Sequence, residues 1–129
     1  MTVTTRERRV GQADILAFAT LTGDEHPQHI DPEWAADSRF GEQIAHGLLV
    51  LSFAVGLMDL DPDRVVALRR VRDAVFKRPV KIGDVIRAES ETIVAREVDG
   101  EHELVDVRLR ILNQDDQVVL RASLELLCR

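Results

Sequence analysis

Hydrophobic and polar positions follow two rhythms along this chain, and the change falls near residue 60. Ahead of it, apolar residues recur as on a helix face. Ala13 to Thr22 places Ile15, Phe18 and Ala19 on one side, and Gly23 stands where a helix commonly stops, so a short helix is predicted there. Asp31-Pro32-Glu33 offers an N-cap acceptor, a proline at the first helical position and an acid in the first turn. A turn or two of helix over Pro32 to Ser38 follows, closed by Phe40-Gly41. Ile44 to Met58 is apolar nearly all round, which predicts a central helix covered on most sides and ended by Asp59-Leu60-Asp61-Pro62.

Beyond Asp63 the period drops to two. Ile86, Ala88, Ser90, Thr92 and Val94 alternate with Arg87, Glu89 and Glu91; Val105, Val107, Leu109 and Ile111 alternate with Asp106, Arg108 and Arg110. Val118, Leu120, Ala122, Leu124 and Leu126 repeat the pattern. Asp99-Gly100 and the stretch Asn113 to Gln117 supply turns between consecutive strands, which makes these strands antiparallel neighbours. A further strand is expected from Val65 to Arg78, where alternation is poor, and another within Val3 to Val10. About five strands with one long apolar helix across one face form an α+β arrangement.

Composition narrows the function. The 129 residues suit one domain, 1–129, with 45% hydrophobic and 31% charged residues, enough for a core and against disorder. Seventeen Lys and Arg against 23 Asp and Glu leave a formal charge of -6, which opposes general nucleic-acid binding. Ile44 to Met58 is too short to span a membrane and holds His46 and Ser52. With no signal-type apolar stretch at the start and Cys128 as the single cysteine, the expected compartment is the cytoplasm.

The candidate chemistry concentrates in the least regular segment, where His26, His29 and His46 fall within 21 positions. Asp24 and His29 lie five residues apart around Pro27, and such a pair in a partly dry pocket has one group to take a proton and one to give it. The plainer alternative is a polar loop in which Asp24 caps a turn and His29 is a satisfied histidine. A metal site made of His26, His29, His46, Asp24 and Glu25 is a weaker reading, since no HExxH and no nearby cysteine is present, and no metal is expected. No G-x-S-x-G and no glycine-rich phosphate loop occurs, so neither a serine nucleophile nor a bound nucleotide is suggested. Gly47, at the head of the apolar helix, exposes an N–H able to polarise a carbonyl, or is small only for packing. Arg69, Arg70, Arg72, Lys77, Arg78 and Lys81 face Asp73 alone between residues 69 and 81. They form either a local anion patch or a strand edge defended by charge.

These residues, in this order, resemble the MaoC-like family of (R)-specific enoyl-thioester hydratases and dehydratases. The match runs through Ala13-Asp14-Ile15, Phe18-Ala19, Thr22-Gly23-Asp24, Pro27, His29, Asp31-Pro32, Ala35, Phe40-Gly41, Ile44-Ala45-His46-Gly47 and Leu49. Val75-Phe76, Pro79-Val80 and Gly83-Asp84 resemble hot dog domains more widely. The resemblance implies a single hot dog domain, in which a curled antiparallel sheet wraps the helix at residues 44 to 58 and two units pair as a homodimer or dimer of dimers. It implies Asp24 and His29 as the catalytic pair and Gly47 as the oxyanion amide, with an acyl tunnel between helix and sheet. The implied reaction is reversible hydration of a trans-2-enoyl thioester to a (3R)-3-hydroxyacyl thioester on CoA or an acyl carrier protein, with no cofactor. His26, His46, Arg70, Arg72, Lys77 and Arg78 are the expected substrate contacts. The family motif most often reads Asp-x-Asn-Pro-x-His, and His26 stands here in place of its Asn. A short or medium acyl group is expected. Two alternatives stay open: a hot dog acyl-thioesterase, and a weakly active or non-catalytic subunit of a heteromeric dehydratase.

Overall fold

The three strands with clean alternation follow one another as antiparallel neighbours: β4 (Val85–Glu97), β5 (Glu103–Leu112) and β6 (Val118–Cys128). The computed structural model describes residues 1–129. Ahead of these strands come β1 (Thr2–Thr4), β2 (Arg8–Arg9), α1 (Gln12–Thr22), α2 (Pro27–Ile30), α3 (Pro32–Ala36), α4 (Gly47–Leu57) and β3 (Val65–Phe76). The sheet order is β1-β4-β5-β6-β3, with β2 also paired to β4. The N-terminal strand expected within Val3 to Val10 is thus two short ones, and the open sheet carrying one packed helix matches the α+β reading.

Alternation decides which side chains meet α4. Ile86, Ala88, Leu109, Ile111, Leu120, Ala122 and Leu124 point to one face and join Leu49, Val50, Leu51 and Ala54 of α4 in one buried cluster. Burying each large member stabilises the fold by about 1.5–3 kcal/mol, which holds the head of α4 against the sheet. Leu48, Ser52 and Gly56 form a line one turn apart that faces solvent, so the helix is covered on all sides but one.

The helix begins at Gly47, three residues later than its apolar run suggested. Ile44 and Ala45 are extended instead. The Ile44 N–H donates to the Gln28 carbonyl at 3.1 Å and the Ala45 N–H to the Val80 carbonyl at 2.7 Å, tying the segment ahead of α4 to α2 and to the chain beyond β3. The short helix α2 was not foreseen, although Pro27 occupies its first position.

Strand β3 shows why its alternation was poor. Its pairing with β6 slips between Val65 and Ala67, Leu68 and Arg70, and Arg72 and Val75, and Asp73 adopts φ 53° within the last of these. β3 is also the terminal strand of the sheet, and Val66, Leu68, Val71, Val75 and Phe76 along it are exposed.

Candidate active site

The loop that carries Asp24 and His29 is set by a series of caps. Gly23 adopts φ 80°, the left-handed conformation glycine takes without penalty, and its N–H closes α1 on the Ala19 carbonyl at 2.9 Å. Thr22 Oγ1 accepts the Asp24 N–H at 3.1 Å. His26 Nδ1 accepts the Gln28 N–H at 3.1 Å and so caps α2, while Asp31 Oδ1 accepts from Glu33 and Trp34 and caps α3. Two short helices in succession carry the chain round, and Gln43 Nε2 fastens the turn by donating to the His29 carbonyl at 2.8 Å.

His29 and His46 are brought together by this turn. Their rings stack with centroids 3.8 Å apart and planes 24° from parallel, and both are buried, at 6% and 2% exposure. The Ile44 carbonyl lies 2.7 Å from His29 Nδ1, and a carbonyl accepts only, so the hydrogen sits on Nδ1 and Nε2 keeps its lone pair. Burial lowers the pKa of His29 below the ordinary histidine value; the Ile44 carbonyl and Asp24 act in the opposite sense, and charge on His46 or His26 adds to the lowering. His29 is thereby biased toward its neutral form.

The ligating atoms of Asp24, His29 and His46 lie within 4.8 Å of one another. Their geometry suits proton transfer better than cation binding. An imidazole lone pair lies in its ring plane, and two stacked planes do not converge on one ion at the ~2.0–2.1 Å that a zinc–nitrogen bond needs.

A cleft of about 540 Å³ opens beside these side chains. Asp24, Gln28, His29, His46 and Gly47 line its polar end; Leu48 and Val50 of α4, Val80, and Val119 and Leu120 of β6 line its apolar part. The Gly47 N–H, first in the helix, makes no hydrogen bond within the chain. A Cβ on Gly47 would stand 2.5 Å from Phe76 Cε1, so only glycine lets the ring lie against this amide. Arg39, Lys77 and Arg78 also line the cleft, and none of them forms an ion pair, unlike Lys81, which is 3.4 Å from Glu42.

Of the expected substrate contacts, His46, Lys77 and Arg78 reach the cleft, but His26, Arg70 and Arg72 do not. His26 is exposed, caps α2 and sets its ring edge-on to Trp34 at 5.3 Å. Arg70 and Arg72 are placed by strand alternation and the β3 slips on the other face of the sheet. There Arg70 Nε lies 3.7 Å from Glu125 and Arg72 forms an ion pair with Asp106 at 2.8 Å. The anion patch is therefore divided: Arg69, Arg70 and Arg72 face carboxylates, Lys77 and Arg78 enter the cleft, and Lys81 pairs with Glu42. Arg39 and Gln28 were not anticipated. Phe76 was visible in the hot dog pattern, as a mark of fold alone.

Residues 1–114 match the family model described as a MaoC like domain. The chain belongs to the MaoC-like family. Among relatives, it is 37% identical over 90 residues to an (R)-specific enoyl-CoA hydratase of Aeromonas caviae, which covers 70% of this chain and 67% of that one. Among solved structures, the Aeromonas caviae (R)-hydratase involved in PHA biosynthesis superposes with a TM-score of 0.83 at 28% identity, covering 98% of this chain and 92% of that one. A monoamine oxidase regulatory protein from Archaeoglobus superposes with a TM-score of 0.94 at 37% identity, covering 100% and 88%. The curated relatives are longer, and the chain spans between 25% and 67% of the length of the first three. The MaoC-like architecture here is the hot dog fold. No helix is long and apolar enough to cross a membrane.

Proposed function

We propose that this MaoC-like chain is a hydro-lyase that adds water reversibly to a trans-2-enoyl thioester, giving a (3R)-3-hydroxyacyl thioester. The observation that carries the reading is the convergence, at one end of an apolar cleft, of a carboxylate, a neutral buried imidazole and an unpaired helix N–H. The thioester oxygen accepts from the Gly47 N–H, which holds the enolate charge as it develops. Water sits between Asp24 and His29 Nε2. Its oxygen bonds to C3, its proton passes to this pair, and the pair returns a proton to C2. The acyl chain, short or medium in length, lies between α4 and β6.

Lys77 and Arg78, free of internal ion pairs, face the phosphates of CoA or of a carrier protein's prosthetic arm. Arg39 joins them on the same cleft. No cofactor enters this reaction. A second copy of the chain is proposed to cover β3, whose outer edge is unpaired and whose apolar side chains are exposed beside the cleft. The whole of residues 1–129 acts as one domain. A single buried, free cysteine accords with the cytoplasm.

The test is hydration of crotonyl-CoA and longer enoyl-CoA substrates, followed by loss of enoyl-thioester absorbance. Asp24→Asn and His29→Ala each reduce kcat/KM by about two to four orders of magnitude. Full activity in either variant rejects the assignment of the pair. Release of free thiol without hydration assigns the cleft to a thioesterase instead.

A further inference from the structure

His46 is a buried ionisable residue to which the reaction above gives no step. It makes three separate attachments. Its Nε2 lies 2.9 Å from the main-chain carbonyl of Asp24, and since that oxygen only accepts, the ring hydrogen is on Nε2. Its face lies on His29 at 3.8 Å, and Phe18 meets it at 4.8 Å with planes 60° apart. Its main chain is the N-cap of α4, so the next amide is that of Gly47. Nδ1, by contrast, is buried with no hydrogen-bond partner.

A residue needed only to fill this space would be apolar. A phenylalanine would pack on Phe18 and His29 without burying an unpartnered nitrogen, which costs stability. The imidazole does what no apolar ring can: it donates to the Asp24 segment while stacking on His29.

Resting on the hydratase reading of Asp24, His29 and Gly47, we propose that His46 is a positioning residue, a single ring that holds the loop carboxylate, the imidazole base and the helix amide in mutual register. The electrostatics agree. Charge on His46, like that on His26, opposes proton uptake by His29, whereas Asp24 favours it. Gln28 Nε2, 3.4 Å from His29 Nε2, is neutral, and Arg39, Lys77 and Arg78 are the other charges lining the cleft.

His46→Phe keeps the stacked ring and removes the donor; His46→Gln keeps a donor of similar reach and removes the ring. In His46→Phe, kcat is expected to fall about a hundredfold with little change in KM, because misplacement by about an ångström costs that much. His46→Gln recovers part of the loss. In both, the acid limb of kcat/KM moves to higher pH, since the repulsion that lowers the pKa of His29 is gone. A residue that merely supports the fold would lower the melting temperature and leave that limb in place. Nitrogen-15 NMR of the imidazoles supplies a readout in the unmutated protein. It should find the hydrogen on Nε2 of His46 and on Nδ1 of His29. The proposal is overturned by His46→Phe retaining kcat with an unmoved acid limb, or by the hydrogen residing on Nδ1 of His46. The tautomer needs no turnover, so it judges His46 separately from the Asp24→Asn and His29→Ala rates that judge the hydratase reading.

Discussion

Two clusters of ionisable side chains, one on the sheet and one at the cleft, are put to opposite uses. On the outer face, Asp106 and Glu125 stand directly opposite each other in the β5–β6 register, a like-charge pair that would repel if left alone. Arg69 and Arg96 donate to Glu125 at 2.7 and 2.9 Å, and Arg72 forms an ion pair with Asp106 at 2.8 Å. The slip in β3 between Leu68 and Arg70 brings two consecutive arginines over one carboxylate. Each carboxylate there faces at least one arginine. At the cleft the reverse holds. Asp24 forms no ion pair, His29 is kept neutral by burial, Gly47 has a free N–H, and three cations on the rim are unpaired. Mutual satisfaction of polar groups marks structure; polar groups held in place by backbone and left unsatisfied toward a cavity mark chemistry.

Mutations of the two clusters should dissociate activity from stability. Asp24→Asn removes hydration by the two to four orders of magnitude given above while leaving the melting temperature close to that of the parent, because Asp24 is exposed and its carboxylate bonds to nothing in the chain. Glu125→Gln should do the opposite, lowering the melting temperature by several degrees while kcat stays within a few-fold. The hydrogen bond from Arg69, with a second from Arg96, holds the Glu125 carboxyl below the usual carboxylate range, although burial pushes the other way. A depressed pKa stabilises the fold above the unfolded carboxylate value, and that contribution is lost as pH falls through the folded value. The difference in melting temperature between parent and Glu125→Gln should therefore be full at neutral pH and shrink on acidification. Calorimetry as a function of pH checks this; a difference that widens in acid would contradict the ion-pair account.

A smaller effect is expected where the cleft meets packing. Gly47→Ala places a methyl group against the Phe76 ring, and either the ring or the head of α4 must move. Activity should fall roughly tenfold. In a Phe76→Ala background the same substitution should cost much less, since the obstructing ring is absent, and a double-mutant cycle on kcat/KM measures the coupling. An equal cost in both backgrounds would show that Gly47 is glycine for some other reason.

What the sequence disclosed follows the same division. β4, β5 and β6 were legible because one face of each is wet and the other dry, and α1 and α3 because Gly23, Asp31 and Pro32 bound them. The pairing of Asp24, His29 and Gly47 was legible as a motif. The fate of Arg70 and Arg72 was not, because three slips in β3 break the period-two rule that assigns a strand residue to a face. Nor was the extended start at Ile44, where two hydrogen bonds to residues distant in sequence override a strongly helical apolar run. His46 looked like a member of a histidine cluster; that it stacks on one histidine and holds the backbone beside the acid depends on a turn of 22 residues that no local pattern specifies.

The smallest predicted effect concerns His26, the departure from the family's Asn. Its Nδ1 accepts the Gln28 N–H at 3.1 Å, the bond an asparagine Oδ1 makes as an N-cap. The substitution therefore preserves the cap. His26→Ala should cost about 1 kcal/mol in stability, and His26→Asn should recover most of it, both read from the denaturant midpoint. Each variant loses the edge contact with Trp34, so the difference between them isolates the hydrogen bond; equal midpoints would exclude the cap.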